Sequence, residues 1–204
     1  MAKIKLTKNE LKSQKDALKR FTRYLPTLEL KKKQLLVEIK NIQKEIERLQ
    51  AENERVLREV QQWVAVYADE AVDPSDYIKV KELRTGTGNI AGIDIPVFED
   101  LMFEEIEYDY FTTPLWLDAG ISVAMEQMRR MAEWEVYEQQ RKLIEAELRT
   151  TIQRIKLFEE VKIPEARENI RVIQIFLGDQ MTAEVVRGKI AKKKIERKKM
   201  GVAA

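Results

Sequence analysis

The chain has 204 residues, of which 35% are charged and 44% hydrophobic, and it contains neither histidine nor cysteine. Without those residues it cannot build a Ser-His or Cys-His nucleophilic system, a thiolate metal site or a disulfide framework. No run of 18 apolar residues and no secretory signal pattern occurs, so we expect a cytoplasmic protein without a membrane-inserted segment.

The net charge of +2 conceals a strong asymmetry along the chain. Residues 1–33 hold 11 basic and 3 acidic side chains, and residues 181–204 hold 8 basic and 2 acidic ones. Residues 72–113 hold 3 basic and 10 acidic side chains. If the two basic segments meet in space, the molecule has one basic and one acidic tip.

The first third of the chain follows an almost unbroken heptad repeat. Position a recurs from Ile4 to Tyr67 and position d from Thr7 to Trp63, and 15 of these 19 positions are apolar. Such a seam predicts a helix from about Thr7 to Ala71 that packs against a partner helix. Pro26 predicts a kink, and Asn53 at an a position is a candidate device for fixing the register.

The middle of the chain predicts a small irregular insert. Asp73–Leu83 favours a short helical turn, and the glycines of Thr85–Asn89 indicate a flexible connector. Apolar and polar residues alternate over 93–97 and 102–108 on either side of Glu99-Asp100. This alternation predicts a β-hairpin that turns at Glu99-Asp100.

A second long helix follows the insert. Thr113 and Pro114 are favourable residues for an N-cap and a first helical position, and the helical pattern continues to about Ile195. Its apolar seam is less regular than the first, which predicts stutters, and Pro164 predicts a second kink.

Two helices of similar length joined by a short insert predict an all-α fold: a long antiparallel two-helix coiled coil with a small inserted β-hairpin and short-helix region. The predicted parts are 1–71, 72–113 and 114–204. Opposed residue numbers should sum to about 184, which places Pro26 near Phe158. About 20 residues of the second helix, beyond Ala183, should then project past the first.

Two patterns could carry chemistry, and each has a simpler interpretation. Gly86–Ala91 matches the G-x-G-x-x-A dinucleotide pattern, but it lacks the buried strand before and the helix after it, so we interpret it as a loop. The acidic residues of 104–109 suggest a divalent metal, yet like charges on one strand face are more often solvated or bind a partner. No P-loop occurs. We therefore expect no catalytic, cofactor or metal site.

Two further patterns suggest protein binding. Met125, Met128 and Met131 are typical of a helix-pair core, or alternatively of a surface that grips a second subunit. The lysine-rich run 189–199 fits a solvated helix end, a protein-binding tip or nucleic acid. Nucleic acid is the least favoured, because no aromatic residue accompanies the run to stack on bases.

Two segments resemble one known family. Residues 24–35, Tyr-Leu-Pro-Thr-Leu-Glu-Leu-Lys-Lys-Lys-Gln-Leu, preceded by Leu6–Asn9, resemble the N-terminal signature of the D subunit of V-type and A-type rotary ATPases. The stretch from Leu157 through Val161-Lys162-Ile163-Pro164 to Leu177 resembles its C-terminal signature. With the helix–insert–helix order, the resemblance covers essentially the whole chain.

The resemblance implies a non-catalytic central rotor shaft of a complex for ATP synthesis or hydrolysis coupled to ion transport. It implies as partners a hexamer of A and B subunits, the F subunit, and a funnel-like subunit on the membrane ring, at the cytoplasmic face. The alternative is a free coiled-coil tether. The expected partner-binding residues are Lys3, Lys8, Lys12, Lys15, Arg187, Lys192, Lys193, Lys194, Arg197, Met125, Met128 and Met131.

Overall fold

A computed structural model describes residues 4–61, 74–109, 113–114 and 116–201. The elements are α1 (Lys8–Gln61), a 3₁₀ turn (Pro74–Tyr77), β1 (Val80–Ile90), β2 (Ile93–Phe103), α2 (Leu117–Lys156), a π-helix (Leu157–Lys162) and α3 (Ile163–Gly201). The predicted fold class, mostly helical with one small antiparallel hairpin, is confirmed. The part of the first helix predicted over 62–71, including Trp63, lies outside the described residues.

The chain divides into two compact units, which we describe separately. The middle unit comprises residues 31–151, and the terminal unit comprises residues 1–30 with residues 152–204. Helix α1 contributes to both, and it continues through Pro26 without a break. Thr7 caps its start, since the Thr7 hydroxyl accepts a 3.2 Å hydrogen bond from the Glu10 backbone N–H.

The buried face of α1 is the one that the heptad predicts. Its fully buried residues are Leu35, Ile42, Ile46 and Leu49, and all four occupy a or d positions. Because this stripe is narrow, it can bury its apolar surface only against another element.

In the middle unit that element is α2, which runs antiparallel to α1. Cross-helix contacts link Lys31 to Glu147, Gln43 to Arg141, Arg48 to Glu133 and Asn53 to Gln127. The two numbers of each pair sum to between 178 and 184, close to the predicted register.

The hairpin is the third layer of the middle unit, and its sequence-based boundaries were wrong. The first predicted strand, 93–97, lies within β2, whereas the second, 102–108, overlaps β2 only at 102–103. Thr85–Asn89, predicted as a flexible connector, belongs to β1. The turn is Ala91-Gly92, where φ is +52° and +82° as a two-residue hairpin turn requires. Glu99, the predicted turn, lies at a bulge opposite Arg84 and Thr85.

Helix α2 begins later than predicted. The backbone N–H of Leu117 bonds to the carbonyl of Pro114, and the helix starts at Leu117 and not at Pro114. The reason is that Thr113 does not act as a cap. Its backbone N–H and its hydroxyl both donate to the carbonyl of Asp109, which ties it to the preceding segment.

In the terminal unit, α1 again packs antiparallel to the later helix. The rings of Phe21 and Phe158 lie 5.2 Å apart, and Asn169 donates a 3.5 Å hydrogen bond to Gln14. Phe21 therefore occupies the place opposite Phe158 that the prediction gave to Pro26, because side-chain packing and not the helix ends sets the register.

The irregularity at Pro164 lies in the residues that precede it. Leu157–Lys162 is a π-helix, and the Ile163 N–H bonds to the carbonyl of Phe158, five residues back. Pro164 has no N–H and its ring would clash with a carbonyl one turn earlier, so a wider turn before it relieves the conflict.

Candidate protein-binding surfaces

The second half of α3 forms the first surface, which we call the exposed tail (residues 178–198). Every side chain in it is exposed, although the helix continues to Gly201. Its larger apolar members are Met181, Val185, Val186, Ile190 and Ile195. In the described part of the chain nothing packs against these side chains, so the tail offers apolar area that a partner could cover.

The apolar residues of the tail lie on two stripes. Met181 and Ile195 continue the helical face of Ile173 and Leu177, which packs within the terminal unit. Val186 and Ile190 continue a second face that begins at the exposed Val172 and Phe176. A helix with apolar stripes on two sides suits enclosure by a surrounding surface better than pairing with one helix.

The predicted basic residues of the tail are all exposed: Arg187, Lys192, Lys193, Lys194 and Arg197. The predicted basic residues of α1, Lys8, Lys12 and Lys15, are exposed as well, and Lys3 lies outside the described residues. The Gln14–Asn169 contact places Lys8 near residue 175 of α3. Arg187 lies about 12 residues farther along, or roughly 18 Å, so the two basic groups follow one another along the unit.

The second surface lies on α2 in the middle unit, and we call it the Met131–Trp134 surface. Met131 is 56% exposed and Trp134 39% exposed. A groove of about 270 Å³ lies on one side, lined by Leu49, Gln50, Asn53, Arg130, Met131 and Trp134. A second of about 280 Å³ is lined by Leu101, Met128, Met131, Ala132, Trp134 and Glu135. Met125 and Met128 are half-buried, so Met131 is the one exposed residue of the three methionines predicted to bind a partner.

A chain of polar contacts supports this surface from below. Gln127 donates to Asn53 across the helix pair, and Arg130 donates a 3.1 Å hydrogen bond to Gln127. The Arg130 guanidinium also lies 3.6 Å from Glu126. Because the chain joins both helices, it holds the Met131–Trp134 surface in a fixed position on the pair.

The hairpin is seated on the helices by side chains that the sequence patterns did not single out. Gln140, only 5% exposed, donates a 2.5 Å hydrogen bond to the carbonyl of Pro96. The Arg129 guanidinium lies 5.3 Å from the Phe103 ring centroid and also bonds to the carbonyl of Leu101. One signal was available: Gln140 lies midway between two buried residues, Val136 and Ile144, and a polar residue there needs a partner.

The patterns considered for metal and phosphate chemistry have structural roles or lie at the surface. Gly86 and Gly88 lie in β1, where an added Cβ would come within 2.6 Å of the Glu99 carboxylate and 2.9 Å of a Val97 methyl. The acidic run follows the end of β2, so its members do not share a strand face as predicted. Among the described residues, no group of three or more acidic side chains is arranged to hold a metal ion.

The helices are too polar for a membrane span. No helix in the described ranges combines the length and apolar character needed to cross a bilayer.

Comparison with known proteins gives a consistent result. A family model described as that of the ATP synthase D subunit matches residues 10–193. A V-type ATP synthase D subunit of Borreliella burgdorferi is 43% identical, with 97% of this chain and 98% of the relative covered. Proteins of the same name from Chlamydia caviae and Chlamydia felis are 34% and 32% identical, each with 97% of this chain and 96% of the relative covered.

Proposed function

The chain belongs to the family of ATP synthase D subunits, and from that membership we propose that it is the non-catalytic central rotor shaft of a V/A-type ATP synthase. In this role it transmits torque between the A/B catalytic ring and the ion-translocating ring of the membrane, and it works at the cytoplasmic face. The chain itself contributes no residue to ATP chemistry.

The observation that supports this role most directly is the exposed tail. A helix of 21 exposed residues with two apolar stripes is unfavourable in water unless another surface covers it. The bore of a ring of subunits encloses a helix from all sides, as the two stripes require. The basic side chains of the tail, led by Arg187 and Lys192, then lie against the inner wall of the ring, where they favour acidic groups.

The Met131–Trp134 surface is our candidate for the contact with the F subunit. It combines an aromatic ring and a methionine on a fixed support, and both residue types are enriched at protein interfaces. Tryptophan is also among the residues that contribute most to binding energy. The segment 72–113, with its acidic residues, is our candidate for the contact with the funnel-like subunit. Under this proposal the parts 1–71 and 114–204 supply the shaft.

The proposed mechanism is mechanical. The cross-section of a pair of unlike helices is not symmetric, so a ring around the shaft meets a different surface at each of its three catalytic sites. Each site is then biased to a different conformation, and rotation passes those conformations from site to site. Only differences in contact between shaft and ring can shift the populations in this way.

Removal of residues 182–204 tests the proposal. The truncated chain should keep its melting temperature and lose only the helical circular dichroism of the removed residues, because their side chains make no packing contacts among the described residues. Its affinity for the A/B ring should fall at least about tenfold, the effect of losing roughly 1.4 kcal/mol of contact. A matched control, Lys192→Ser with Lys193→Ser, keeps the apolar stripes and should weaken ring binding mainly at low salt.

Three outcomes would contradict the proposal. If the truncated chain binds the ring as tightly as the full chain does, the tail is not enclosed by it. If the full chain co-purifies with neither the A/B ring nor the F subunit, a free coiled-coil tether is the better interpretation. Unfolding of the truncated chain would show that the tail belongs to the folded core.

A further inference from the structure

The two-stranded sheet has two outer edges, and among the described residues only one of them makes hydrogen bonds to the helices. The outer edge of β2 faces the helices, where Gln140 bonds to the Pro96 carbonyl and Arg129 to the Leu101 carbonyl. The outer edge of β1 has no such contact. In the described part of the chain, no hydrogen bond outside the β1–β2 ladder uses the backbone of residues 80–90.

The register shows which groups on that edge are free. Ile90 and Ile93 flank the two-residue turn, so they form a hydrogen-bonded pair, and bonded and non-bonded pairs alternate from there. Gly88 and Gly86 therefore bond to β2. Thr85, Thr87 and Asn89 direct their N–H and C=O groups away from it.

Pro96 supports this assignment independently. It is the cross-strand partner of Thr87, and it has no N–H to donate. A proline is tolerated there because the pair is a non-bonded one, in which the N–H of each residue points outward. The side chains of Thr85, Thr87 and Asn89 are all exposed, so the sheet face that carries them is also uncovered.

Protection of this edge is confined to its first half. Lys81, Glu82 and Arg84 are charged, and both register shifts of the hairpin fall between Val80 and Thr85. Charges and bulges of this kind are the usual means of blocking edge-to-edge pairing. From Thr85 to Ile93 the chain carries no charge and no proline, although 35% of all its residues are charged.

We propose that the outer edge of Thr85–Asn89 receives an extended segment of another subunit of the ATP synthase, which adds to β1 as a third strand. Three residues offer three donors and three acceptors, over about 17 Å of strand. The occupant is recognised mainly through its backbone, as in other cases of strand addition. Its neighbouring side chains should be small or uncharged, since Thr85, Thr87 and Asn89 offer no charge to pair with. This inference rests on the proposed function, because it takes the occupant from the assembled complex.

Amide hydrogen exchange tests the proposal directly. In the isolated chain, the amides of Thr85, Thr87 and Asn89 should exchange fast, and those of Gly86, Gly88 and Ile90 slowly. An exchange pulse is applied to the assembled complex, and residues 85–90 are then read by mass spectrometry with electron-transfer fragmentation. The three outward amides should slow by at least about tenfold on assembly.

A pair of variants adds a test by affinity. Thr87→Pro removes an N–H that bonds to nothing in the isolated chain, so the hairpin should form while assembly weakens. The control, Thr87→Val, keeps that N–H and should assemble like the parent chain. Slow exchange at Gly86 and Gly88 in both variants verifies that the hairpin is intact.

Three results would overturn the inference. The first is that the outward amides stay fast in a complex that has assembled, which leaves the proposed function intact. The second is protection in the isolated chain that rises with its concentration, which would assign the edge to a second copy. The third is fast exchange at Gly86 and Gly88 in the isolated parent chain, which would show that the bonded pairs are misassigned. A chain that joins no complex at all would instead refute the proposed function.

Discussion

The packing of the hairpin on the helix pair predicts a large effect of Ile95→Ala. Ile95 is 4% exposed and packs with Leu35, Ile42, Ile46 and Ile144. The substitution removes three buried carbons, which at about 0.8 kcal/mol each is worth roughly 2.4 kcal/mol. A partly relaxed cavity adds to that loss, so the free energy of unfolding should fall by about 3 kcal/mol.

Urea unfolding followed by helical circular dichroism measures this change, with Val97→Ala as the matched control. Val97 lies on the same strand two residues later and is 40% exposed, so its truncation should cost at most about 1 kcal/mol. Only Ile95→Ala should also speed proteolysis within residues 80–103, because it loosens the seat of the hairpin. Equal costs for the two variants would show that the hairpin does not complete the core of the helix pair.

Three further predictions concern single features of the structure. Thr151 is fully buried and its hydroxyl has no partner among the described residues, so Thr151→Val should raise the free energy of unfolding by about 1 kcal/mol, measured by urea unfolding. Thr150→Val should not, because the Thr150 hydroxyl already donates to the Ala146 carbonyl. Gly92→Ala should lower the free energy of unfolding by about 1 kcal/mol, because alanine is strained at a φ of +82°. Gly178→Ala in α3 should raise the stability, because alanine favours the helix. Melting temperatures of the two variants that shift in the same direction would contradict this. Burial, with nearby carboxylates, raises the pKa of Tyr137. Above about pH 10 the unfolded chain loses the Tyr137 proton before the folded chain does, so the stability should fall as the pH rises further. The fall should be less steep in Tyr137→Phe. Identical pH slopes of the urea midpoint in the two proteins would refute a raised Tyr137 pKa.

The first helix could be predicted from sequence because its core contact is periodic. Leu35, Ile42, Ile46 and Leu49 recur at heptad spacing, and such a stripe allows only one face to be buried. The antiparallel order followed from the short insert between two helices of similar length. Neither inference required knowledge of contacts between residues distant in sequence.

The hairpin could not be predicted in the same way, because its pairing is not periodic. A bulge at Glu99 interrupts the alternation within β2, so β2 and the residues that follow it resembled two strands with a turn. The true turn, Ala91-Gly92, lacks the Asn-Gly or Asp-Gly signal, and Ala91 adopts a positive φ. Ala91 is tolerated there because it packs against the core cluster of the helix pair, a tertiary contact that the local sequence does not contain.

The candidate surfaces were predictable only in part, for a related reason. The tail could be predicted because it follows from the lengths of the two helices and from the basic residues that are contiguous in the sequence. Trp134, Gln140 and Arg129 could not, since their roles depend on the hairpin lying on α2. A polar residue such as Gln140 at a seam position indicates that some partner exists, but only the fold identifies the Pro96 carbonyl as that partner.

The polar contacts between the helices have a consequence for a shaft under load. An apolar seam resists separation, but it resists sliding weakly, because one heptad step restores similar packing. Polar pairs cross the seam in both units, and a shift by one heptad would leave their amides without partners. These pairs are Gln14 with Asn169, Gln43 with Arg141, and Asn53 with Gln127. These side chains are half-buried, so each hydrogen bond lost on slippage costs on the order of 1 kcal/mol. The pairs therefore oppose slippage in steps that the apolar residues alone would permit. In the proposed rotor, the ring loads one part of the helix pair against another. Polar residues between the helices contribute less to stability than apolar ones would, but they keep the register of the pair fixed under torque.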